Sequence, residues 1–231
     1  MSLFPFRQNP PRRSKSDLTP ADWLRMARHP SSYAPTAAEV LTPEIAVPAR
    51  STPDPLLRAV LDDPDADAPR LAFAEGIGAA DPARAEFIRA QLVGKPDADA
   101  PLAQDGGRWA EEFAPWGARD LVYRRGFAEG MSLTGRSFIS LGEALFDRTP
   151  LREVRLIAVN FMMGELGRCA HSAKLTVLDL TGNRIGDAGA ESLLSSAFLN
   201  GLRELRLGGN DLTEGMEERL RERFGGALRG G

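Results

Sequence analysis

Cys169 and His171 lie two residues apart in "GRCAHSAK", where a thiolate beside an imidazole would make a nucleophile. No third residue offers to orient the imidazole, so the pair reads as a packed cysteine beside a surface histidine. One cysteine and two histidines are also too few ligands for a zinc centre. "GIGAAD", Gly76 to Asp81, holds half of a dinucleotide fingerprint, but that fingerprint needs a preceding strand and a glycine where Asp81 stands. "DDPDADAP", Asp62 to Pro69, gathers carboxylates. A calcium loop starting at Asp63 would require glycine and glutamate where Ala68 and Ala74 stand, so helix capping and a solvated turn account for these acids. "RQNPPRRSK" brings together Arg7, Arg12, Arg13 and Lys15 with no acid among the first 16 residues. It suits an acidic protein, a nucleic acid, an anionic membrane or plain solvation. None of these groups assembles a catalytic, cofactor or metal site, and the chain reads as a non-enzyme needing no cofactor.

The elements that must position any functional surface follow from the rest of the chain. Its 231 residues are 42% hydrophobic and 26% charged, ordinary values for a globular protein. A net charge of -3 gives no global polycation for nucleic acid. A lone cysteine suits a reducing compartment. The first residues lack the apolar core of a secretory signal, and no apolar run approaches the roughly 20 residues of a membrane span. The expectation is a soluble, cytoplasmic protein.

Nine of the 17 prolines precede residue 54. Residues 1–54 therefore read as a flexible tail. Short docking helices interrupt it: Thr19 caps one that presents Trp23, Leu24 and Ala27, and Thr36 offers a second cap. Residues 55–124 read as a helical module. Leu56, Leu57, Val60 and Leu61 share one face of its first helix. Leu71 and Phe73 lie on the next, and Asp81 caps a third that carries Phe87, Ile88 and Leu92. "GKPDADAPLAQDGG" reads as a loop, and "RWAEEFAPWGARDLVY" as another helix broken at Pro115.

From residue 125 to 231 a phrase recurs. L-x-x-L-x-L-x-x-N is complete at Leu175, Leu178, Leu180, Asn183 and again at Leu202, Leu205, Leu207, Asn210. It is imperfect at Leu151, Val154, Leu156, with Val159 in the Asn place and Asn160 one late. A worn copy starts at Ala128, with Met131 and Leu133. The starts are 23, 24 and 27 residues apart. Each phrase is one rung of a parallel sheet with its leucines in a shared core. Asn183 and Asn210 would form a ladder that satisfies backbone groups freed where the chain turns out of the strand. Asp187 reads as the N-cap of an outer helix, and Thr213 as that of a charged terminal helix.

"LDLTGNRIGDAGAESL" resembles the ribonuclease-inhibitor-like class of leucine-rich repeats. "LLRAVLDDPDADAPRLAFAEGIGAADPARAEFIRAQL" and "RRGFAEGMSL" are similar to a bacterial repeat-companion domain and its joint with such repeats. That resemblance implies an α/β fold, a short strand-and-helix solenoid capped by an N-terminal helical module. It also implies a habit of binding proteins on the concave face.

Residues between the core leucines should point out of that face: Glu129 and Ser132; Arg152, Glu153 and Arg155; Thr176, Asp179 and Thr181; Arg203, Glu204 and Arg206. The mixture of charges suits a protein partner better than a phosphate backbone, and neutralising pairs such as Glu153 with Arg203 or Arg206 are the plainer account. The function expected is a protein-binding scaffold, with Phe4, Phe6, Arg12, Arg13, Trp23 and Leu24 of the tail as further contacts. The alternative is a subunit of a larger assembly whose tail wraps a neighbour.

Overall fold

The structure is a computed structural model and describes residues 54–229. Tail residues Phe4, Phe6, Arg12, Arg13, Trp23 and Leu24 lie outside the described residues. Helix α1 (Pro55–Asp62) begins at Asp54, whose carboxylate accepts from the Leu56 amide at 2.7 Å, with Pro55 supplying the fixed φ of a first turn. Helices α2 (Asp67–Ile77) and α3 (Pro82–Leu92) follow, and Asp81 caps α3 through the Arg84 amide at 3.0 Å. Helix α4 spans Leu102–Glu111, so it begins inside the stretch expected to be a loop. The Gly106–Gly107 pair weakens its propensity, but Trp109 is buried and anchors the helix.

The helix expected to run on through Tyr123 stops earlier. Gly117 turns the chain at φ 65°, and strand β1 (Arg119–Arg124) begins instead. Its alternation places Leu121 and Tyr123 inward, and the Tyr123 ring lies 5.9 Å from that of Phe87. A two-residue turn, Arg125 (φ 48°) and Gly126 (φ 83°), reverses the chain into the antiparallel strand β2 (Phe127–Thr134). Two positive φ values in succession match the right-handed twist of a hairpin. Gly126 is also needed for space, because a Cβ there would stand 2.2 Å from Ile88 Cγ1.

Four parallel strands extend the sheet: β3 (Glu153–Ile157), β4 (Val177–Asp179), β5 (Glu204–Arg206) and β6 (Leu228–Arg229). Met131, Val154, Leu178, Leu205 and Leu228 stand in register across them. Strand β6 was not anticipated, because Leu228 and Arg229 repeat only two residues of the phrase. Helices α5 (Gly135–Leu145), α6 (Met163–Gly167), α7 (Asp187–Leu194) and α8 (Glu214–Phe224) connect or follow the strands. Phe138, Leu145, Leu166, Leu193 and Leu220 of these helices are buried, as are Leu156, Leu178 and Leu205 of the strands and Leu180 just past β4. Each such side chain contributes about 1.5–3 kcal/mol.

Gly186, not Asp187, is the N-cap of α7. Asp187 is the first helical residue, and its carboxylate accepts from the Thr213 amide at 2.9 Å and hydroxyl at 2.7 Å. Thr213 Oγ1 in turn accepts from the Met216 amide at 3.3 Å, so the starts of α7 and α8 are tied.

The helices and the sheet share side chains. Phe127 of β2 packs with Val60, Ala74, Ala85 and Ile88. Glu129, expected to point out of the sheet, is 5% exposed and bound to the fully buried Arg70 at 2.7 Å. Strand β2 starts further upstream than its parallel neighbours, so alternation carries Glu129 to the side of Met131 and Leu133.

Candidate interaction surface

Strand alternation fixes one row of outward side chains: Ser132, Arg155, Asp179, Arg206 and Arg229, each in register with the next. The row beside it is Gly130, Glu153, Val177 and Glu204. Arg206 is the hub between them. Its Nε meets Glu204 Oε1 at 2.8 Å, and its Nη1 meets Glu153 Oε1 at 3.1 Å and Asp179 Oδ2 at 3.6 Å. Bonding to Glu204 first, and then to Glu153, pushes the guanidinium pKa up, while the Glu204 carboxyl is held below its ordinary value by Arg206. The second oxygen of Glu153 takes Arg124 Nη2 of β1 at 2.6 Å. Asp179 Oδ1 accepts from the Thr181 amide at 2.9 Å, which fixes its rotamer.

Arg152 turns to the helices and meets Asp65 at 2.9 Å. Asp65 belongs to the acidic turn "DDPDADAP", so one carboxylate of that turn serves the sheet. Asp65, Arg124, Arg152, Glu153, Arg203 and Glu204 border an open hollow of about 340 Å³. Arg155 and Arg203 are exposed and make no ion pair among the described residues. The pairing of Glu153 is with Arg206 and Arg124, not Arg203. Arg124 and Arg229 were missed in the sequence. Arg124 follows directly on a segment read as helix to Tyr123, so no strand face was assigned to it, whereas Arg229 follows Arg206 by the repeat spacing of 23 residues, a signal that was present.

The turns out of β4 and β5 are each held by a buried or half-buried asparagine. Asn183 Oδ1 accepts from the Val159 amide at 3.2 Å, and its Nδ2 donates to the carbonyls of Leu156 at 2.8 Å and Leu180 at 3.0 Å. Asn210 Oδ1 accepts from the amides of Asn183 and Ile185, both at 3.0 Å, and Nδ2 donates to Leu180 and Leu207. Each amide bridges its own rung and the one before it. Gly182 (φ 70°) and Gly209 (φ 66°) precede them, and the left-handed turn aims each asparagine inward. In the rung before, Ala158 adopts the same turn at φ 54° and Val159 is buried where the amide would be. Val159 fills the space over Gly135, whose missing Cβ would lie 2.7 Å from Val159 Cγ2.

The remaining candidate chemistry is absorbed by packing. His171 is not a surface residue: its ring stands 4.8 Å from that of Phe138, and its Nε2 lies 2.9 Å from both Cys169 Sγ and the Phe138 carbonyl. Burial pushes the Cys169 thiol up and the His171 imidazole down. Both shifts favour the neutral forms, which is the reverse of an activated thiolate–imidazolium pair. At "GIGAAD" the first two residues end α2, and Asp81 holds Arg108 at 3.0 Å and Trp109 Nε1 at 3.3 Å besides its cap.

The family model of the leucine-rich repeat matches residues 171–194, from the turn at His171 through β4 and the Asn183 turn to the end of α7. That match supports a leucine-rich repeat in this segment, a motif that commonly mediates protein–protein interaction and is typically non-enzymatic. No curated protein and no solved structure gives a significant match to the chain. Among the described residues no helix is long and apolar enough to cross a membrane.

Proposed function

We propose that this chain is a non-enzymatic scaffold that binds a protein partner on the outward face of its parallel strands, the concave face of a short repeat solenoid. Arg152, Glu153, Arg155, Asp179, Arg203, Glu204 and Arg206 form the contact surface, and Phe4, Phe6, Arg12, Arg13, Trp23 and Leu24 of the tail extend it. The observation that carries this reading is the contrast within the face. Glu153, Asp179 and Glu204 are locked on Arg206, while Arg155 and Arg203 are exposed and unpaired among the described residues. A network already fixed before binding loses little side-chain entropy on contact, and unpaired guanidiniums beside it gain bonds.

Affinity capture from the host tests this with three proteins: the full chain, a chain lacking residues 1–53, and Arg155→Glu/Arg203→Glu. The substitutions avoid Arg206, whose loss would leave three carboxylates facing each other. A partner lost with the double variant and kept without the tail supports the face. A partner lost only without the tail refutes it, and favours a subunit of a larger assembly held by its tail.

A further inference from the structure

The chain is acidic overall, with a net charge of -3, yet its sheet face is not. Arg124, Arg152, Arg155, Arg203, Arg206 and Arg229 stand on or beside the strands or border the same hollow. Against them are Glu153, Asp179, Glu204 and, at the rim, Asp65. All four carboxylates are already engaged by Arg206, Arg124, Arg152 or Arg125. The surplus charge therefore sits on Arg155, Arg203 and Arg229, none of which pairs with a carboxylate among the described residues. Arg229 Nη1 is held by the carbonyls of Gly226 at 2.5 Å and Leu228 at 3.3 Å, and its charge helps hold the Glu204 carboxyl down without reaching it as an ion pair.

Resting on the protein-binding reading above, we propose that the partner presents an acidic, extended polypeptide segment that crosses the strands from Arg155 to Arg229. These two arginines share one register row, three strand spacings apart, or about 14 Å. An extended chain covers that distance in roughly four residues, so carboxylates about four positions apart would meet both guanidiniums. Arg203 lies to one side, at the mouth of the hollow, and takes a third. A nucleic-acid strand fits less well. Its phosphates would run past Asp179, Glu153 and Glu204 between the free arginines, whereas a polypeptide carries acids only where they are needed. Val177 lies half-buried between Glu153 and Glu204 and offers the same segment an apolar contact.

Fluorescence anisotropy of the full chain with three labelled probes tests this: a Glu/Ser peptide, its Gln/Ser counterpart, and an oligo-dT of equal length. The expected result is binding of the Glu/Ser peptide alone, weakened by salt over the range where the screening length falls from about 10 Å to 3 Å. Arg155→Gln/Arg203→Gln/Arg229→Gln should weaken it by roughly tenfold, a few-fold for each exposed pair lost. Arg136→Gln/Arg168→Gln, which removes exposed arginines outside the face, should leave it unchanged. Urea unfolding of each variant checks that the fold persists. Stronger binding of oligo-dT, equal loss in both sets of variants, or no peptide binding overturns the inference. If peptide binding fails while capture yields a face-dependent partner, the scaffold reading stands and the acidic partner falls.

Discussion

Replacing Asn183 with alanine removes the buried side chain that joins the turn after β3 to the turn after β4. Three short bonds are lost, to the Val159 amide and to the carbonyls of Leu156 and Leu180. They are not equivalent. The Leu180 carbonyl keeps the Asn210 Nδ2 donor at 3.0 Å, so its loss costs little. The Val159 amide and the Leu156 carbonyl lose the side chain that bridges them, and Val159 and Leu156 are both buried. At about 1–3 kcal/mol for each buried group left unsatisfied, Asn183→Ala should cost about 2–6 kcal/mol. Asn210→Ala orphans the amides of Asn183 and Ile185, but Asn210 is itself half-exposed, so water can replace part of what is lost and the cost should be smaller. Asn160→Ala, one residue from the ladder, breaks no side-chain bond and should be nearly neutral. Urea unfolding gives the three midpoints, with an unchanged slope as the condition for comparing them. An Asn183→Ala midpoint no lower than that of Asn160→Ala would refute the account of the turn as a buried polar ladder.

Gly126→Ala should destabilise the chain by more than about 2 kcal/mol, because a methyl there meets Ile88 at a positive φ; Gly117→Ala, with a similar φ and open space, should cost only about 1 kcal/mol in the same assay. Arg70→Ala leaves Glu129 in the interior with only Arg125 at 3.3 Å, and should cost about 3–5 kcal/mol. Arg70→Met/Glu129→Leu should be the milder change, and a double variant weaker than Arg70→Ala would refute the view that the pair is a paired charge rather than a net attraction. Burial holds His171 below its ordinary pKa, so the unfolded chain takes up a proton before the folded one does. The His171 contribution to stability is therefore present above about pH 6.5 and is lost as pH drops below it. His171→Gln should flatten that slope in urea midpoints measured at successive pH values, and an unchanged slope would assign the loss elsewhere.

The rungs were legible because their signal is repeated. Leu175, Leu178 and Leu180 recur as Leu202, Leu205 and Leu207, and all six are buried. A single strand has no such help. "RDLVYR" follows a buried tryptophan and two helical turns, and its alternation over six residues was outweighed by the helix before it. The left-handed turn at Gly117 decides the matter, and glycine in a sequence does not declare which sign of φ it takes. Strand β6 has two residues and is stabilised by register with β5 rather than by any pattern of its own. Asp187 failed as a cap for a similar reason. The cap position was filled by Gly186, and the carboxylate had a stronger claim on it from Thr213, 26 residues later.

The charges of the face show a different limit. Alternation within a strand says which side chains share a side, and it needs no partner strand. Which charges cancel depends on the register between strands, and that is set by the lengths of the helices and turns that separate them. Glu204 and Arg206 are two residues apart and their pairing was open to inspection, but Glu153 reaches the same guanidinium from 53 residues away. A count of arginines against acids therefore suggests a neutral surface. Once Arg206 holds three carboxylates and Arg152 holds Asp65, the same composition leaves Arg155, Arg203 and Arg229 without partners among the described residues. The guanidiniums that the internal network leaves without carboxylates are the ones open to new bonds, and only the sheet register identifies them.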